Sequence, residues 1–90
     1  MCRNIRPLFN FDPPVTEAEI RDASLQFVRK VSGYNKPSNA NEAAFNRAID
    51  QIAAATRELL EALVTTAPHR NREVEAARAR ERARERYGAA

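Results

Sequence analysis

Chemistry has few places to reside in this 90-residue chain. The most reactive side chain is Cys2, the single cysteine, set between Met1 and Arg3 with Arg6 close behind. With Met1 removed, its thiol would sit on the N-terminal residue beside the chain's own amine, and the neighbouring arginines would favour the thiolate. Cys2 is therefore the one candidate nucleophile; the plainer reading is a small, half-buried apolar residue. His69 is the only histidine, and with Cys2 it supplies too few ligands for a metal site. The two glycines, Gly33 and Gly88, form no phosphate-cradling loop. The acidic residues are scattered along polar faces, with no pair arranged for acid–base work. These features predict a chain that is not an enzyme and that needs no cofactor and no metal.

Two other groups of residues are candidates for contact rather than catalysis. Residues 1–69 hold eight Lys or Arg against eight Asp or Glu, so the net charge of +3 lies wholly in the tail. There, seven arginines stand among Glu73, Glu75, Glu81 and Glu85. Arg78, Arg80, Arg82, Arg84 and Arg86 could grip phosphates nonspecifically. The glutamates dilute that field, and no aromatic residues interleave for base stacking. A solvated or partner-docking helix is the favoured reading, and nucleic-acid binding the alternative. The third group is Tyr34, Asn35 and Lys36, at the tip of a short linker where functional residues often gather. The plain expectation is that Tyr34 packs over the helix ends while Asn35 and Lys36 are solvated.

The elements that must position these residues are two amphipathic helices. Thr16–Gly33 opens with a capping box, Thr16 with Glu19, behind Pro13 and Pro14. Ile20, Ala23, Ser24, Phe27, Val28 and Val31 fall on one face at spacings of three and four, while Leu25 breaks the pattern and is free for a partner or a terminal segment. Gly33 supplies a left-handed stop, after Arg29 and Lys30 in the last turn. Asn39–Leu63 shows a matching box, Asn39 with Glu42. Its stripe of Phe45, Ile49, Ile52, Thr56, Leu59 and Leu63 is widened by Ala48, Ala53 and Leu60. Thr65, Thr66 and Pro68 end it. A seven-residue linker, Ser32–Ser38, makes the two helices antiparallel neighbours.

Ile5, Leu8, Phe9 and Phe11 form an apolar cluster too dense to hang free. We expect one helical turn or an extended segment laid across the helix pair. The tail favours helix, with Glu75–Arg78 and Glu81–Arg84 spaced to support it. Its apolar stripe of Ala76, Ala79, Ala83 and Tyr87 is weak, so we expect it to be partly exposed and to fray. No apolar run nears the ~20 residues of a membrane span, and the chain's start lacks a signal-peptide core. A lone cysteine excludes an intramolecular disulfide framework. A cytoplasmic protein without a membrane partner is the expectation.

The opening Met1-Cys2-Arg3-Asn4-Ile5-Arg6, followed by Leu8-Phe9-Asn10-Phe11, resembles a bacterial family known only as a domain of unknown function. So do Gln26–Gly33 and Lys36-Pro37-Ser38 with Ala40-Asn41. The likeness covers nearly the whole chain and implies no particular activity. More loosely, a short first segment before an antiparallel pair resembles the architecture of the J-domain co-chaperones. Their His-Pro-Asp loop motif is missing from residues 32–38, so that resemblance implies architecture alone.

The expected fold is therefore an all-α, small helical domain. It has a central antiparallel pair at about 16–32 and 39–65, an N-terminal segment packed on it, and an arginine-rich C-terminal helix. We expect residues 1–67 to form the core domain and 68–90 the tail. The expected function is a noncatalytic interaction or structural module, acting through a protein partner or as a homo-oligomer.

Overall fold

The structure, a computed structural model, describes residues 5–87. The fold is all-α, with three helices among the described residues: α1 (Glu17–Ser32), α2 (Glu42–Ala62) and α3 (Arg72–Tyr87). Two-residue strands, β1 (Phe11–Asp12) and β2 (Arg70–Asn71), pair in parallel. The sequence pattern did not suggest this pairing, because two residues carry no periodicity. None of these helices is long and apolar enough to cross a membrane. Cys2 lies outside the described residues.

α1 begins as its sequence demands. The Glu19 N–H donates to Thr16 Oγ1 at 3.2 Å, and the Thr16 N–H donates to Glu19 Oε1 at 2.9 Å. These reciprocal bonds satisfy two donors that the first turn leaves without helical partners. The helix ends at Gly33, whose φ of 77° suits a residue without a Cβ and whose N–H donates to the Arg29 carbonyl at 3.0 Å.

The expected capping box on the second helix does not form. Asn39–Asn41 is a 3₁₀ turn, and α2 starts at Glu42 with no side-chain cap. The side chain of Asn41 instead donates to Ser38 Oγ at 3.0 Å, and its N–H donates to the Ser38 carbonyl at 3.0 Å. Glu42 is thus the first residue of the helix rather than its third. The far end is also earlier than 65: Ala62 is the last helical residue and Leu63 is already extended, with ψ 137°.

The helices are antiparallel, as the short linker requires. Glu17 pairs with Arg57 and Arg21 with Asp50 (2.6 Å), while Val28 meets Phe45 and Ile49 in one cluster. Ile20, Val28, Phe45, Ile49 and Ala53 make up the buried apolar core. Ser24 is buried among them because its hydroxyl donates to the Ile20 carbonyl at 2.9 Å. Leu25 also packs on this cluster, so it belongs to the core rather than to a free surface. α2 therefore lies further round α1 than the stripe suggested.

The N-terminal segment takes the extended alternative. Asn10 adopts φ 67° and turns the chain, its carbonyl accepting from the Arg70 N–H at 2.7 Å. Its side chain donates to the Pro68 carbonyl at 3.0 Å. The Asp12–Pro13 peptide is cis, leading into α1. Asn71 then caps α3, accepting from the N–H groups of Glu73 (2.9 Å) and Val74 (3.1 Å). The radius of gyration is 15.8 Å; a compact domain of this length would have ~12 Å. α3 projects rather than folding back.

Candidate functional site

Two surfaces carry the side chains of interest: an uncovered face of the helix pair, and a polar latch where α3 leaves it. The face follows from helical geometry. With 100° per residue, Ala23, Phe27 and Val31 lie on one flank of the α1 contact line, and Ala48, Ile52 and Leu59 on one flank of the α2 line. Both flanks are displaced in the same rotational sense, which in an antiparallel pair turns them to the same side. Phe27 is 45% exposed, Val31 65% and Leu59 55%. The expected burial of Phe27 and Val31 thus fails, because α2 covers the far side of the α1 stripe. Leu59 and Leu63 of the second stripe are likewise exposed. The ionised side chains of α2 that reach α1, Asp50 and Arg57, sit on the flank opposite Ile52 and Leu59. One side of the pair is therefore stitched by charge and the other is apolar.

The latch is built around Arg72. Its Nε–H donates to the Pro13 carbonyl at 2.8 Å, and its two terminal nitrogens reach Glu19 Oε2 at 3.0 Å and Oε1 at 2.9 Å. A planar guanidinium suits this bidentate carboxylate contact. Its central carbon also stands 5.8 Å from the centre of the Phe11 ring, as does that of Arg70. The Arg72 contacts, with bonds from Thr16, hold the Glu19 carboxyl down at a pKa of about 2. Arg57 similarly lowers the Glu17 carboxyl by direct hydrogen bonding. Sequence reasoning saw Glu19 only at the start of α1 and Phe11 only in the N-terminal apolar cluster, and it did not single out Arg72. Fifty-three residues separate Glu19 from Arg72, and no local spacing links them.

Tyr34 is 52% exposed, and its backbone N–H donates to Ser32 Oγ at 3.1 Å. Asn35 and Lys36 are exposed, with the Asn35 carbonyl accepting from Arg29 Nε at 3.0 Å. Arg78 faces Glu75 at 3.6 Å and Arg84 faces Glu81 at 3.3 Å. Arg78, Arg80, Arg82, Arg84 and Arg86 alternate, and steps of two residues turn 200° on a helix. They therefore point to opposite sides of α3 rather than forming one stripe. His69 is exposed at the rim of an open cleft of about 620 Å³, beside Phe9, Leu60 and Leu63. Among the described residues, no three His, Cys, Asp or Glu side chains are grouped to hold a metal ion.

Fold and surface together define a small all-α protein with one apolar helix-pair face and a tethered basic helix. The chain belongs to the family described as "Uncharacterized conserved protein (DUF2277)", whose model matches residues 1–78. The latch residues Phe11, Glu19 and Arg72 lie inside that span, as do Phe27, Val31 and Leu59. Arg80, Arg82, Arg84 and Arg86 lie beyond it. No curated protein and no solved structure matches the chain, so the J-domain likeness gains no support.

Proposed function

We propose that this chain is a noncatalytic interaction module of the bacterial cytoplasm, which docks a protein surface on the uncovered face of α1 and α2. The observation that carries this reading is the exposure of Phe27, Val31 and Leu59 along one side of the pair. Covering such side chains is worth ~1.5–3 kcal/mol each when complete. Exposed apolar groups gathered on one side mark interaction surfaces more often than single scattered ones do.

The test is affinity capture from a native host with three baits: the wild type, Phe27→Glu and Lys36→Glu. Phe27→Glu places a carboxylate on the face, whereas Lys36→Glu changes charge at the linker tip. Proteins retained by the wild type and Lys36→Glu and lost with Phe27→Glu are the expected result. Identical recovery with all three baits would overturn the assignment of this face.

A further inference from the structure

α2 carries a second seam beside its contact with α1, sharing only Ala48 and Ile52 with the edge of that contact. The seam toward α1 is centred on Phe45, Ile49 and Ala53, which are buried. About a quarter turn away, Ala48, Ile52, Ala55, Leu59 and Ala62 recur at spacings of four, three, four and three. This is a heptad alternation, with alanine at one position and a large aliphatic residue at the other. Ala55, Leu59 and Ala62 are exposed, and Ala48 and Ile52 half-buried.

Such a seam is complementary to itself when run antiparallel. Setting Ile52 opposite Ala55 of a second copy places Leu59 opposite Ala48. Every large side chain then faces a small one. The symmetry axis passes between positions 53 and 54, near the middle of α2, so the helices overlap along their length. A self-complementary patch of this kind is what a two-fold dimer requires. Alanine at every other seam position also lets the axes approach near the lower end of the ~8–10 Å range.

Charge and area agree with this occupant. The open rim of the seam holds Ala44, Gln51 and Glu58, and in the antiparallel register Glu58 falls opposite Gln51 of the copy. No like charges meet there. Taking ~1.5 Å per residue and a helix ~10 Å across, α2 alone offers a footprint of roughly 300 Å², and α1 with α2 roughly 550 Å². A standard interface buries ~800 Å² of accessible surface per partner, and accessible area exceeds planar footprint. One helix falls short of that scale and two approach it. Phe27 and Val31, turned to the same side, would therefore join the contact and make a bundle of four helices.

We infer that the occupant of this face is a second copy of the chain, paired antiparallel through Ala48, Ile52, Ala55, Leu59 and Ala62 of α2. The inference rests on the reading of this face as an interaction surface and names its partner.

Light scattering behind size exclusion, on the full chain from micromolar to near-millimolar concentration, tests it. The wild type should run at twice the 10.1 kDa chain mass. Ala55→Glu, which sets a carboxylate on each side of the symmetry axis, should raise the dimer dissociation constant at least tenfold. Ala54→Glu adds the same charge on an exposed position turned away from the seam and should leave it unchanged. Circular dichroism checks that both variants remain helical. Spin labels at Ala43 should lie ~30 Å apart along the axis in the antiparallel register, and about 10 Å apart in a parallel one. A wild type that stays monomeric, equal effects of Ala54→Glu and Ala55→Glu, or the short label distance would each overturn self-pairing. A monomer whose capture profile still depends on Phe27 would overturn self-pairing alone and leave the interaction surface standing.

Discussion

α2 and α3 are both held against α1, by different physics. α2 is joined to it along its length by buried side chains, from Val28 and Phe45 at the linker end to Ile20 and Ala53 further down. α3 is tethered at its first turn, where Arg72, Asn71 and the short strand ladder supply polar contacts. Area removed from water carries no charge to protonate or screen, whereas a part-exposed guanidinium–carboxylate contact is sensitive to both pH and salt. One chain thus contains a permanent joint and a conditional one.

The heaviest blow to the permanent joint is Phe45→Ala. Phe45 is 8% exposed and central to the core cluster, so its truncation should cost ~3–5 kcal/mol. In a core this small, denaturant unfolding should show loss of the whole helix pair; a cost under ~1 kcal/mol would mean that the pair is held elsewhere. Thr16→Ala acts on the piece shared by both joints, because Thr16 caps α1 and also bonds Glu19. Losing the cap should cost ~1 kcal/mol by the same measurement. A neutral substitution would show that the Glu19 bonds hold without it.

The gentlest perturbation separates the joints cleanly. With Arg72→Ala, amide hydrogen exchange in α3 should quicken while protection of α1 and α2 is retained. Acid should do the same in the wild type. The Glu19 carboxyl lies at about 2, below its ordinary 4.5, so its contribution is complete above pH 4.5 and fades as the pH falls through about 2. α3 protection that declines below pH 4.5 and is lost by about pH 2 is expected. A midpoint near 4.5 would place Glu19 outside the latch.

How much of this was legible depends on the reach of each signal. The start of α1 was, because Thr16 and Glu19 lie three residues apart and act on the same turn. The same spacing misled at Asn39, since a 3₁₀ turn also closes over three residues, and Ser38 accepts the Asn41 side chain. Periodicity found the apolar stripe of α1 but could not say whether any segment would cover Phe27 and Val31; that depends on how far round the helix α2 settles. Arg72 was illegible for another reason. Among seven arginines in one run, nothing local distinguishes the one that meets a carboxylate fifty-three residues upstream.

The ladder between β1 and β2 sets an order of assembly. Phe11 pairs with Arg70, so the smallest element of the fold must close a chain segment of nearly sixty residues. Closing so long a loop carries an entropic cost that two strand residues cannot repay alone. The helix pair, joined by the short connection 33–41, shortens that loop beforehand by bringing its own ends together. The N-terminal segment should therefore be the last part to settle during synthesis. It must wait until Arg72 has been added, even though it left the ribosome first.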